Sequence, residues 1–272
     1  MSNTAKRLVK KVFGTAGLEI RKKSADPNQD RATFSGALRQ IAKLGFRPRT
    51  VIDVGVAYHT LELYQQFPEA RILLVEPLAE FEPFLRQICT QYKAEYVLAA
   101  AGEKAGSAVL NVHPDKVGSS FLNEVEGATV DGTPREVPVV TIDEVCAERK
   151  LSGPYLLKAD VQGAELQVLA GARRTLLETE VALLEVTLFG TMIGGPQFAD
   201  VISRMKELGF VAYDVFGFSY RPFDNALCQV DMAFVREDGL FRKVHVYATP
   251  EQRRALAQNP EPQLAELVRK QG

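Results

Sequence analysis

The sequence predicts an α/β domain: an open, mostly parallel sheet with helices on both faces and an antiparallel last strand. Three observations carry this. Apolar runs of strand length alternate with segments of helical periodicity along most of the 272 residues. Three of those runs deliver an acid to a turn: Val51-Ile52-Asp53-Val54-Gly55, Ile72-Leu73-Leu74-Val75-Glu76-Pro77 and Tyr155-Leu156-Leu157-Lys158-Ala159-Asp160. The last two runs, near 210–216 and 229–235, are joined by a segment without helical pattern. Parallel neighbours need a crossover of a dozen or more residues, so this final pair reads as antiparallel.

In chain order, 24–30 is a polar linker, and 31–45 reads as a helix from the spacing of Phe34, Leu38, Ile41 and Leu44, with Gly45 as terminator. Strands are expected near 50–54, 71–76, 95–99, 155–160 and 181–187, and helices near 60–67, 79–91, 164–178 and 197–208. Runs at 107–112 and 136–141 form an extra β pair around a polar loop, and 250–270 reads as a terminal helix after Thr249-Pro250. The expected organisation is an N-terminal helical extension over 1–45, a central domain over 46–240 with an insert near 107–141, and a C-terminal extension over 241–272.

Composition narrows the partners. The net charge of −1 leaves no nucleic-acid footprint. No apolar run reaches the roughly 20 residues of a membrane span, so no integral membrane segment is expected. Cys89, Cys146 and Cys228 lie far apart, in no metal-ligand spacing, which suits a reducing cytoplasm. The N-terminus is basic around Leu8, Val9, Val12 and Phe13. It reads as a surface helix or the arm of a homodimer, with a helix lying on anionic lipid as the alternative.

Acids at successive strand ends point to a polar ligand along the carboxyl edge of the sheet. Asp53 would floor the crevice, and Gly55 would let the backbone approach closely. Glu76 could accept hydrogen bonds from both hydroxyls of a ribose. No Gly-x-Gly-x-x-Gly follows the first strand, so the pyrophosphate cradle of a dinucleotide is missing and a cofactor without phosphates fits better. Ala100, in the run Tyr96-Val97-Leu98-Ala99-Ala100-Ala101-Gly102, offers a flat wall for an adenine ring. The competing structural reading makes Asp53 and Glu76 caps of neighbouring helices.

These residues resemble the FkbM family of S-adenosylmethionine-dependent methyltransferases over about 45–236. The ordered pieces are Val51 to Gly55, Val75-Glu76-Pro77, Ala99 to Gly102, Gly118-Ser119-Ser120, Val139 to Glu144, Lys158 to Glu165 with Val168 to Ala172, Leu184-Glu185-Val186, and Gln229 to Val235. The resemblance implies a seven-stranded, Rossmann-like class I methyltransferase fold. It also implies methyl transfer to a hydroxyl of a sugar, glycolipid or secondary metabolite, so the partner would be a small-molecule or glycan acceptor. One departure stands out. The family continues its first motif with Ala-Asn-x-Gly, whereas Val56-Ala57-Tyr58-His59 stands here. Tyr58 and His59 would then lie beside the methionine end of the cofactor.

In that reading the cofactor is held by Asp53, Gly55, Val56, Glu76, Pro77, Ala100 and Asp160. The acceptor's proton needs a base, and Asp160, Glu165, His59 and Glu185 are the candidates. A Lys158–Asp160 ion pair and a helix-capping Glu165 are the structural alternatives. Acceptor contacts are expected from His113, Ser119, Ser120 and Lys158, with the glycine-bearing insert 113–135 as a mobile lid. A divalent cation on Asp160, Glu165 and a histidine is compatible with the sequence, though no spacing demands it. The competing functions are a nicotinamide oxidoreductase and a non-catalytic module with a degenerate cofactor site.

Overall fold

The computed structural model describes residues 30–258. The basic N-terminal segment and the end of the expected terminal helix lie outside the described residues.

The chain opens with α1 (Phe34–Lys43), capped by Thr33, whose hydroxyl accepts from the Gly36 N–H at 3.1 Å. Then follow β1 (Thr50–Val54), α2 (Leu61–Gln66), β2 (Arg71–Val75), α3 (Glu82–Gln91) behind a 3₁₀ turn at Ala79–Phe81, and β3 (Ala94–Val97). The insert contributes β4 (Ala100–Ala101), β5 (Gly106–Val112) and β6 (Thr133–Val140). The chain returns through α4 (Ile142–Glu148), β7 (Tyr155–Ala159), α5 (Glu165–Ala170), α6 (Arg173–Leu177), β8 (Thr179–Thr187) and α7 (Phe198–Glu207). It closes with β9 (Phe210–Tyr220), β10 (Leu227–Arg236) and α8 (Pro250–Gln258).

The main sheet has seven strands in the order β3-β2-β1-β7-β8-β10-β9. All neighbours are parallel except β10, which runs antiparallel to both β8 and β9. This is the predicted architecture. The insert forms a separate sheet, β4-β6-β5, in which β5 and β6 are the expected antiparallel pair.

Alternation along the strands makes two cores. On one face Val51, Leu74, Leu156, Leu183 and Ala233 pack under Leu38 and Ile41 of α1, Leu63 of α2 and Leu85 of α3. On the other, Ile52, Leu73, Leu157, Leu184 and Met232 pack under Val145 of α4, Val168 of α5, Leu176 of α6 and Met205 of α7. A third cluster, with Leu78, Phe81, Leu110 and Val137, glues the small sheet to the turn after β2.

Two sequence expectations change. The single helix over 164–178 is broken into α5 and α6. A Cβ on Gly171 would stand 2.0 Å from the Gly102 carbonyl oxygen, so only glycine lets the insert's first strand approach here. Asp143 then caps the new start, accepting from the N–H groups of Arg174 (2.9 Å) and Thr175 (2.8 Å). The insert, expected as a mobile lid, is stitched down. Val125 N–H donates to the Thr191 carbonyl (3.0 Å) and Ile193 N–H to that of Asn123 (2.8 Å). Among the described residues no helix is long and apolar enough to cross a membrane.

Candidate active site

The carboxyl ends of β2, β1 and β7 lie side by side, so their acids converge on one cavity of about 570 Å³. Gly55, Val56, His59, Glu76, Pro77, Ala100, Ser119, Lys158 and Asp160, all expected at the site from sequence, line it. Gly55 has φ +75°, and a Cβ there would meet the Asp160 carbonyl oxygen at 1.9 Å, so the loops after β1 and β7 touch only through a glycine.

At the β2 end, Glu76 is buried and fixed by backbone donors. Its Oε2 accepts from Ala57 N–H and its Oε1 from Leu78 N–H, both at 2.9 Å. Burial raises its pKa, and those two bonds oppose the rise. Ala57 takes a left-handed φ of +48° to make its bond, at the position where the resemblance expects asparagine.

The β7 end is a side-chain network on one face of the sheet. Lys158, itself buried, contacts Asp53 at 3.2 Å and Asp160 at 3.6 Å and donates to the Gly55 carbonyl at 3.0 Å. Burial alone would lower its pKa; Asp53, Asp160 and Asp231 outweigh it, and the ammonium is held charged. Gln162, left-handed at φ +53°, donates through Nε2 toward Asp160 (3.2 Å) and Glu185 (3.0 Å). Gln229 donates to the same Glu185 oxygen at 3.0 Å. Burial first, then Asp160, Glu165 and Asp231, push Glu185 up to about 9, so it holds its proton at neutral pH.

The remaining expected site residues stand elsewhere. Asp53 is fully buried beneath the cavity, against the Tyr64 hydroxyl of α2 and Lys158, because alternation turns it toward the helices. Glu165 is also buried. Its Oε1 accepts from the N–H groups of Val161 (3.0 Å) and Gly163 (3.2 Å), so it caps its own turn, with burial raising it to about 7. Glu185 sits behind Gln162. His113 pairs with Asp115 at 2.8 Å, outside the cavity. The buried Ser120 pins the insert, donating to the Gln162 carbonyl at 2.7 Å and accepting from Leu122 N–H at 3.0 Å. With Glu165 turned to the backbone, the acid–histidine cation site that the sequence allowed without demanding is not assembled. Among the described residues no group of three or more His, Cys, Asp or Glu is spaced to hold a metal ion.

Sequence reasoning assigned no role to two lining residues, Gln162 and Asp231. Asp231 is the direct partner of Glu185 across β8 and β10. Its carboxylate has no hydrogen-bond donor among the described residues. Burial, then Asp160, raise it to about 7, with Lys158 opposing. The signal was present: an acid in the middle of the apolar strand Val230-Asp231-Met232-Ala233-Phe234.

Comparison with curated proteins gives no match. Solved structures that the chain resembles are distant. One is the precorrin-6y C5,15-methyltransferase of Geobacter metallireducens, 12% identical, with TM-score 0.40, over 74% of this chain and 86% of that one. Another is the 1,6-didemethyltoxoflavin-N1-methyltransferase of Burkholderia thailandensis, 12% identical, with TM-score 0.40, over 87% and 90%. A third is the magnesium protoporphyrin IX methyltransferase of Synechocystis, 11% identical, with TM-score 0.40, over 85% and 96%. Residues 49–212 match the methyltransferase FkbM domain. That span is more than half of the chain and contains β1 to β8, and the chain belongs to the FkbM family of S-adenosylmethionine-dependent methyltransferases.

Proposed function

We propose that this enzyme methylates a hydroxyl oxygen of a small-molecule or glycan acceptor, such as a sugar, glycolipid or secondary metabolite. The cofactor would lie along the cavity, and Asp160 would face the reacting oxygen. The observation that carries the reading is the division of one cavity between a carboxylate fixed by backbone amides and a cluster of acids fixed by side chains.

The cofactor fits the first half. Each oxygen of Glu76 accepts one backbone N–H, and a carboxylate offers about four lone-pair sites. One site per oxygen is left for the two ribose hydroxyls. Gly55 keeps the backbone clear, and Ala100 gives the base a flat wall. S-adenosylmethionine brings a methyl group already activated for transfer.

The protein's own work is then to align the acceptor and take its proton. A neutral hydroxyl is a poor nucleophile, so a carboxylate beside it raises the rate. Asp160 is held by Gln162 and stands beside the Lys158 ammonium, which fixes its orientation. Asp231, free of donors among the described residues and shifted toward neutrality, is a second carboxylate able to hold that proton. Glu185, already protonated, adds no further negative charge to the pair.

The test is transfer of labelled methyl to a panel of hydroxylated acceptors, with mass spectrometry of the product. A methyl ether is expected; a methylated nitrogen or carbon would overturn the hydroxyl assignment. Asp160→Asn should lose about a hundredfold or more in turnover, the scale of a positioned base, with S-adenosylhomocysteine affinity near wild type. Full turnover in that variant would remove Asp160 and leave Asp231 and His59 as the candidate bases.

A further inference from the structure

The loop after β1 carries an aromatic ring that the proposed function leaves without a task. Tyr58 lines the cavity and is 47% exposed, so it stands at the mouth. Its ring meets Phe81 and Phe84, with centroids 5.0 Å away in both cases and planes at 78° and 82°. Phe81 is buried, and Phe84 does not line the cavity. Tyr58 is therefore the ring of this cluster that is both exposed and part of the cavity lining. Among the described residues its hydroxyl has no hydrogen-bond partner. Two edge-to-face contacts hold it in place, which orders the ring before any ligand arrives.

Its neighbours say which part of a ligand it would meet. Tyr58 follows Ala57, whose N–H is bonded to Glu76. Phe81 ends the 3₁₀ turn that begins two residues after Pro77, in the segment leaving the same carboxylate. Both Tyr58 and Glu76 line the one cavity, so a base attached to a ribose at Glu76 has this ring among its walls. Leu78, Phe81 and Ala100, which belong to one apolar cluster and carry no polar side-chain atom, line the cavity together with the exposed Tyr58.

We propose that Tyr58 is a binding residue for the adenine ring of the cofactor, closing over its exposed face from a position fixed by Phe81 and Phe84. This deepens the proposed function and rests on its placement of the ribose at Glu76. It also moves Tyr58 from the methionine end, where the sequence placed it, to the nucleoside end. The tyrosine hydroxyl has no part in this, so the ring alone should suffice.

Calorimetry with S-adenosylhomocysteine and with 5′-methylthioadenosine, which share the nucleoside and differ in the amino-acid tail, tests this. Tyr58→Ala should weaken both by a similar factor of about ten, the scale of one base–aromatic stack. Tyr58→Phe should bind as the wild type does, and Tyr58→Leu should recover little. The chain has no tryptophan, so Tyr58→Trp places a single indole at the mouth. Both nucleosides should quench its fluorescence, and methionine should not; this arm reads the contact even if the alanine variant fails to fold.

Unchanged affinities in a folded Tyr58→Ala, or a loss for S-adenosylhomocysteine alone, would overturn the inference, the latter placing the ring at the methionine end. Full recovery by Tyr58→Leu would reduce it to packing. If the wild type binds nucleosides while Glu76→Ala leaves their affinity unchanged, the ribose assignment fails instead. A quench in Tyr58→Trp would then still support the stack.

Discussion

The two ends of the cavity are built by different physics. At the β2 end a single carboxylate, Glu76, is held by two main-chain N–H groups, and its environment is set by local chain geometry. At the β7 end Lys158, Asp160, Gln162, Glu185 and Gln229 hold one another across β7, β8 and β10, with Asp231 set beside Glu185. The first, in the proposed function, is a rigid receptor for the cofactor's ribose. The second is a network in which each member's charge depends on the rest, which suits proton handling and makes it the vulnerable half.

The comparison is broken most directly at Lys158. Lys158→Met leaves Asp53 buried beside Tyr64 with no cation in contact. Removing one partner of a buried pair costs about 3–5 kcal/mol. Denaturant unfolding should show a loss of that size, whereas a loss under about 1 kcal/mol would mean the network is less coupled than its geometry indicates.

Next comes the other end. Glu76→Ala removes the acceptor of one buried and one part-buried N–H group as well as the proposed ribose partner. We expect a loss of about 2–3 kcal/mol in stability and at least about tenfold in S-adenosylhomocysteine affinity. Calorimetry and unfolding on the same samples separate the two. A stability loss with unchanged affinity would make Glu76 a loop anchor only.

The network end should also titrate. Glu185 has a folded pKa raised to about 9, mainly by burial. A raised carboxyl keeps its proton in the folded state while the unfolded chain gives it up. Its stabilisation is therefore full below the unfolded pKa and is lost as pH rises through about 9. Glu185→Gln copies the protonated form. The variant should match the wild type near pH 5 and exceed it increasingly as pH rises, by about 5 kcal/mol near pH 9. Parallel stability–pH curves would show that Glu185 is ionised in the fold.

The smallest effect is expected where the insert meets the network. Ser120→Ala removes the bond that ties the insert to the Gln162 carbonyl and the bond from Leu122 N–H inside the insert. It should cost about 1–2 kcal/mol and speed amide exchange at Leu122. Unchanged exchange would leave the pairing of 123–125 with 191–193 as the sufficient fastening.

Strand–helix alternation, the acids at strand ends and the missing crossover before β10 are one-dimensional signals. They were enough for the seven-stranded sheet, the antiparallel last strand and the convergence of Glu76 and Asp160 at one edge. The resemblance gave the family. What the sequence could not decide is which acid faces the cavity and which faces the protein. Asp53 and Glu76 look alike as strand-end acids. Only the packing of Tyr64 and Lys158 against Asp53 places it underneath, and only the free lone pairs of Glu76 leave it open to a ligand.

Glu165, His113 and Ser120 were drawn away by contacts invisible in sequence: a backbone turn, a neighbouring aspartate and the Gln162 carbonyl. Asp231 became a site residue because β10 returns beside β8, some forty residues later, and sets it against Glu185. Burial and charge are properties of the assembled neighbourhood. The sequence therefore determined the fold and the edge where the acids gather, while tertiary structure decided which carboxyls there face the cavity and which only hold the chain.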